Sequence, residues 1–400
     1  MVGRKMVLFG AFDRFNYGDL LFPIMFYELC KDRCEITSGV ECVGLRQSNL
    51  SRFGGFPTRP ASFLMNGDNL PDGSVIVVVG GELIGQSWSE MHGSLVPLCM
   101  TPVVRQLSRS IHLNRLDHFS RRYFAADWEW PYVIGPDDFR NDVSIAYNTV
   151  GALSLARRNQ SENEKMHRIL SAATFLSVRD AESQRLLNKG HNIAELFPDS
   201  AMLVSRLFSK EKLLDLVNAE TKRILRSGQR GYICFQISHA SASGHIDEIA
   251  DQLDRLQSKF ESQIVLLPIG RAAFHADQIA LRKIKKRMQS PAVLPRPNGV
   301  YDIMALLSHA KVVVGTSLHG LITGMSYGVP YVALAGIDKL EIFLRTWSID
   351  ALKRPVKFDD LVEAVDNAMS VDVDSLARQS SELAALTEQG MANLLQAVLR

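Results

Sequence analysis

The sequence predicts an α/β protein of two doubly wound domains facing a cleft, with a C-terminal helix. Three observations carry this. Short runs rich in Val, Ile and Leu alternate with stretches of helical periodicity, the pattern of parallel strands joined by crossover helices. That alternation occurs twice, with a polar helical stretch at 207–227 between the two sets. Leu376, Leu383, Leu386, Leu394, Leu395 and Val398 then mark an amphipathic helix over 375–399. Such a helix has to pack on something, either the body of the protein, bridging both domains, or a partner.

In the first set, strands are expected at 6–9, 41–45, 75–79, 132–134, 144–147, 175–178 and 195–197. The second set comprises 232–236, 264–268, an edge strand near 293–295, 311–314 and 331–334. This places a first domain at 1–206, a helical linker at 207–230, a second domain at 231–370 and the closing helix at 371–400. No repeat or low-complexity tract interrupts the order.

Composition narrows the class. The 400 residues are 46% hydrophobic and 22% charged, with a net charge of +2, as in ordinary globular proteins. Nothing in that balance calls for nucleic acid. No apolar stretch reaches the roughly 18 residues that span a bilayer. Residues 1–12 meet Asp13 too soon for a signal-peptide core and read as a first strand. Cys30, Cys34, Cys42, Cys99 and Cys234 are odd in number and form no Cys-x-x-Cys pair. A reduced, cytoplasmic protein is the expectation.

Chemistry concentrates just past strand ends, where open α/β sheets bind ligands. Gly315-Thr316-Ser317-Leu318-His319-Gly320 follows the run 311–314, so a buried strand stops at a helix N-terminus. The helix is expected over 318–327, with Gly328 as its stop signal. Free backbone N–H groups and a positive dipole end make its first turn an anion seat. His319 stands in that turn and titrates near neutral pH, which makes it the acid/base candidate. The same segment also describes a capped helix followed by a core histidine. Asn16-Tyr17-Gly18-Asp19 follows the first strand and Gly80-Gly81-Glu82 the third. Arg179-Asp180 follows 175–178, with Asp180 as helix N-cap and Gly190 as its close. Arg179 at that corner can bind a phosphate or pair with Asp199.

Other readings are poorer. His275-x-Asp277 offers two metal ligands without a third nearby; lining the cleft or capping a helix suits it better. His92, His112 and His118 lack a helical spacing to a carboxylate, so no metal is expected. Walker A and Gly-x-Gly-x-x-Gly loops are missing, which argues against nucleotide triphosphatases and dehydrogenases.

Taken together these motifs resemble the polysaccharide pyruvyl transferase family. The features are Asn16-x-Gly18-Asp19, Gly80-Gly81-Glu82, Ser177-Val178-Arg179-Asp180 with Ser183, Phe197-Pro198-Asp199, Leu318-His319-Gly320, Gly328-Val329-Pro330 and Lys339. It is their family order that is specific. The resemblance implies two Rossmann-like domains arranged as in GT-B glycosyltransferases, the first on the acceptor side and the second on the donor side. It implies transfer of a pyruvyl group from phosphoenolpyruvate, a co-substrate, onto two hydroxyls of a sugar, without a cofactor. In that reading His319 and Arg179 are catalytic, and Asn16, Gly18, Asp19, Gly81, Glu82, Asp199, Ser317, Gly320 and Lys339 bind substrate. One departure stands out: Ser317 occupies a position where family enzymes often carry Arg. Lys339, Arg271 and Arg345 are the cations available to replace it. The rival readings are a glycosyltransferase using a nucleotide sugar and a relative that binds without catalysing.

The segment 104–123 has Arg105, Arg109, Arg115, Arg121 and Arg122 against Asp117 alone. Its helical spacing of apolar residues makes it either a solvated basic face or a peripheral contact with the inner face of the plasma membrane, near a lipid-linked acceptor. Asp127-Trp128-Glu129-Trp130 suits either sugar stacking or the anchoring of an insertion.

Overall fold

Strands whose residues are apolar on both faces must be covered on both sides, and the run Ser74–Val79 is buried at every position. The computed structural model describes residues 4–31, 40–96, 113–189, 193–227, 231–270 and 277–399. Its first sheet contains β1 (Met6–Phe9), β2 (Val40–Val43), β3 (Ser74–Val79), β4 (Val143–Val150), β5 (Phe175–Val178) and β6 (Glu195–Leu196). They lie in the order β2-β1-β3-β4-β5-β6, all parallel. The second sheet contains β7 (Tyr232–Gln236), β8 (Gln263–Leu266), β9 (Ala292–Val293), β10 (Val312–Gly315) and β11 (Tyr331–Ala333). Its order is β9-β8-β7-β10-β11, again parallel throughout. Strand order reverses between β1 and β3 in the first sheet and between β7 and β10 in the second. Each reversal opens a crevice at the carboxyl ends of its strands.

Three helices at those crevices start on side-chain caps. Asn16 caps α1 (Tyr17–Cys30) by accepting from the Gly18 N–H at 3.2 Å. Asp180 caps α2 (Ala181–Asn188) through the Ser183 N–H at 2.7 Å. Then come α3 (Asp277–Arg287) and α4 (Leu318–Ser326), the latter capped by Ser317, whose hydroxyl accepts from the Gly320 N–H at 3.2 Å. Two further helices, α5 (Asp338–Trp347) and α6 (Val373–Leu399), follow along the chain. The polar stretch between the sheets forms two helices, Lys210–Leu216 and Ala219–Ser227.

The alternation of side chains along a strand divides the core in two. Val7, Phe9, Ile76 and Val78 face one cluster, confined to the first half of the chain. Met6, Leu8, Val75 and Val77 face the other, which continues through α1 into the second sheet and α6. Buried apolar surface of this kind contributes about 25 cal/mol per Å², so the two sheets share one cohesive layer. Direct bonds also cross between them. The Tyr17 and Thr323 hydroxyls meet at 2.8 Å, and the Trp347 indole N–H donates to the Arg179 carbonyl at 2.7 Å. Helix α6 touches both halves: Asn148 donates to the Met391 sulfur at 3.1 Å, while Gln379 accepts from the Tyr331 hydroxyl at 3.2 Å.

One expected strand is absent. Residues 132–134 form a buried loop carrying only an isolated bridge between Trp130 and Val133. The Tyr147 hydroxyl replaces a strand neighbour, accepting from the Ile134 N–H at 2.9 Å and donating to the Ile134 carbonyl at 2.7 Å. An apolar run can therefore stay buried without joining a sheet.

Candidate active site between the two sheets

The two crevices face each other and enclose a cavity of about 260 Å³. From the first half, Asn16 and Asp19 reach it past β1, Gly81 and Glu82 past β3, and Arg179 past β5. From the second half come Gln236 at the end of β7, Thr316 to His319 past β10, and Lys339 from the first turn of α5. Gly80 and Gly81 turn the chain at φ +58° and +73°, a region open to glycine, which brings Glu82 to the cavity wall.

A chain of charges runs beneath the cavity floor. Asp199, fully buried, places Oδ2 3.3 Å from Arg179 Nη1 and 3.4 Å from His319 Nε2. Arg179 Nη2 lies 3.4 Å from Glu82 Oε2, and the other Glu82 oxygen accepts from the Ser154 N–H at 3.1 Å. Thus Arg179 lines the cavity and pairs with Asp199 at the same time. Burial works against ionisation of Asp199, but the His319 and Arg179 charges outweigh it and hold its carboxyl below the usual range. The Asp199–His319 contact has the distance of an ion pair without the alignment of a hydrogen bond, and among the described residues His319 Nε2 has no hydrogen-bond partner. The ring meets Phe22 edge-on at 5.3 Å. Its Nδ1 lies over Gly18, where an added Cβ would come within 1.8 Å.

That last contact gives a direct test. Gly18→Ala is expected to expel the imidazole, because the intruding carbon is fixed to the α1 backbone. Overpacking of this kind costs about 1–3 kcal/mol. Thermal unfolding should show the loss of stability, and turnover should fall with it.

Burial tunes the other ionisable groups. Burial raises the carboxyl pKa values of Asp19 and Glu82, against the pull of nearby cations that include Arg179 and Lys339. Lys339 shifts downward, through burial first and Arg179 second, with Asp19 and Glu82 opposing. Asp277 is pushed up to about 6 by burial. Neither Asp19 nor Lys339 has a hydrogen bond or an ion pair within 4 Å among the described residues. Both remain available to a ligand.

Of the remaining expected residues, Gly18, Asp199 and Gly320 support the wall rather than line it. Arg345 pairs with Glu341 at 3.7 Å on the surface, and Arg271 and His275 lie outside the described residues. Asp277 lines the cavity at the start of α3 and is occupied by hydrogen bonds. Sequence reasoning missed Gln236, which closes an apolar strand and gives no local signal. Trp128 and Trp130 are buried, Trp128 against Phe9 at 6.0 Å, so they anchor the fold and do not stack on sugar. Residues 104–112 lie outside the described residues. The rest of that segment forms the helix Leu113–Tyr123 beside Trp88–Leu95, and none of its described side chains lines the cavity. No described helix is long and apolar enough to cross a membrane.

Residues 143–337 match the family model of polysaccharide pyruvyl transferase. They form a polysaccharide pyruvyl transferase family domain. The match includes Arg179, Asp199, Ser317 and His319, while Asn16, Asp19, Glu82 and Lys339 flank it. The overall fold is GT-B-like. The Staphylococcus aureus MnaA–UDP co-structure aligns with TM-score 0.54 at 11% identity, over 99% of this chain and 96% of that one. UDP-GlcNAc 2-epimerase from Neisseria meningitidis, bound to UDP-GlcNAc, aligns with TM-score 0.56 at 10% identity, over 98% and 100%. At such identities the likeness is one of fold. No curated relative matches the chain in sequence.

Proposed function

We propose that this protein moves the pyruvyl group of phosphoenolpyruvate onto two hydroxyls of a saccharide, forming a cyclic ketal. One observation carries the reading: an imidazole within the matched residues, backed by a buried carboxylate, shares a small cavity with an uncommitted lysine just beyond them. Phosphoenolpyruvate needs cations for its phosphate and carboxylate and a proton for its methylene. Lys339 supplies a cation where Ser317 supplies none. The Leu318 and His319 N–H groups have no partner among the described residues and add the helix N-terminus to the anion seat.

In this mechanism His319, protonated on both nitrogens, gives the Nδ1 proton to the enol methylene. The carbon bearing phosphate becomes cationic and the first sugar hydroxyl adds to it, returning its proton to His319. The second hydroxyl then displaces phosphate, which leaves with that hydroxyl's proton. A methyl-bearing ketal and inorganic phosphate are the products, and the imidazolium is restored. Asp199 supports the imidazolium throughout. The acceptor is a saccharide of a cell-surface polymer, soluble or lipid-linked.

A volume of about 260 Å³ suits a small donor, since sites for drug-sized ligands span about 300–1,000 Å³. Thermal shift discriminates the donors. Phosphoenolpyruvate at 100 times its dissociation constant should stabilise by about 2.7 kcal/mol, and Lys339→Met should abolish that shift while leaving the unliganded protein folded. Stabilisation by a nucleotide sugar alone would transfer the assignment to a glycosyltransferase.

A further inference from the structure

Beneath the second crevice, three strand ends meet on one buried amide. Gln236, the last residue of β7, is 4% exposed. Its Oε1 accepts from the Thr316 N–H at 3.1 Å and the Ser317 N–H at 2.8 Å, at the corner between β10 and α4. Its Nε2 donates to Asp277 Oδ2 at 2.9 Å. The same carboxylate oxygen accepts from the Ile269 and Gly270 N–H groups at 3.0 and 2.9 Å, just past β8.

From there the contacts cross the cleft. Gly270 forms an antiparallel bridge with Asn16, the cap of α1, and Gly18 in the first turn of α1 carries the His319 ring. A path that leaves α4 at Ser317 therefore returns to α4 at His319, having passed through both halves of the molecule. We propose that Gln236 and Asp277 are positioning residues, whose amide–carboxylate pair sets the register of the two halves and so aims His319 into the cavity.

The residue types fit that task. An amide presents an acceptor at one end and a donor at the other, so it satisfies two N–H groups and a carboxylate together. A hydrocarbon at 236 would strand all three, and each buried unpaired group is costly. A carboxylate at 236 would serve the two N–H groups but confront Asp277, pushing the corner away from Gly270.

The test uses the full chain and two linked variants. Gln236→Glu sets two carboxyl groups face to face. Adding Asp277→Asn restores a donor opposite the new carboxylate and keeps an oxygen for Ile269 and Gly270. The inference rests on the pyruvyl-transfer reading for its kinetic arm only. In that arm Gln236→Glu should lower kcat about 10²-fold, the loss that follows a displacement of about 1 Å, with KM for phosphoenolpyruvate changed little. The second arm needs no substrate: the rate at which diethyl pyrocarbonate modifies His319, followed by peptide mass spectrometry. That rate should change several-fold in Gln236→Glu, and the double variant should restore both the rate and kcat. A folded Gln236→Glu protein with unchanged His319 reactivity would overturn the proposal, as would a folded double variant that restores neither property. Changed and then restored reactivity without any response to phosphoenolpyruvate would support the positioning role and reject the donor.

Discussion

Replacing His319 by Asn is expected to lower kcat by about 10²–10⁴-fold, the usual contribution of a general acid–base group. Asn keeps a polar head in the first turn of α4 and leaves the backbone bond from the Thr323 hydroxyl to the residue 319 carbonyl in place. It cannot cycle a proton near neutral pH. The fold should survive, because the ring's contacts are the Phe22 edge, the Gly18 surface and Asp199. The variant should still unfold cooperatively, at a somewhat lower temperature because Asp199 loses one of its two partners, while turnover at saturating phosphoenolpyruvate is lost. Near-normal turnover would remove His319 from the proton path.

Arg179→Met should be the most damaging single change to stability, by about 3–5 kcal/mol, as expected when one partner of a buried ion pair is deleted. The guanidinium is 2% exposed and serves Asp199, fully buried, together with Glu82. Methionine fills much of the volume and keeps the backbone carbonyl that receives the Trp347 N–H. What it leaves behind is two carboxylates without their cation. The sign of the pH dependence follows. In the parent, Arg179 and His319 hold the Asp199 carboxyl below its ordinary value, so this stabilisation is full above the unfolded pKa and fades as pH falls. The deficit of the variant should therefore be largest at neutral pH and shrink on acidification. Urea unfolding at pH 7 and at about pH 3, below the ordinary carboxylate pKa, checks both parts. A deficit that does not change with pH would mean that packing, not charge, accounts for it.

Much of this was legible in the sequence, and the exceptions have physical causes. Strand runs such as 75–79 announce themselves because a parallel strand covered on both faces needs apolar residues throughout. Residues 132–134 are likewise β-branched and aromatic, yet Tyr147 supplies the hydrogen bonds that a sheet neighbour would have given. Asp19, Glu82, Arg179 and His319 stood out as polar residues at strand ends. The link of Asp199 to Arg179 was one of two open readings, and here the arginine both lines the cavity and makes that pair. Gln236 could not be found, because its role depends on β7 and β10 being neighbours although Lys311, where the run of β10 begins, lies 75 positions after Gln236. Lys339 was one of three cations offered in place of a family arginine; only the packing of α5 against the cleft separates it from Arg345.

Running the reaction in heavy water with phosphoenolpyruvate and a panel of soluble and lipid-linked saccharides tests the central claim most directly. Inorganic phosphate and a ketal should appear in equal amounts, with a solvent deuterium in the ketal methyl group, and neither product should come from His319→Asn. Release of a nucleoside diphosphate from a nucleotide sugar, with phosphoenolpyruvate left intact, would contradict it.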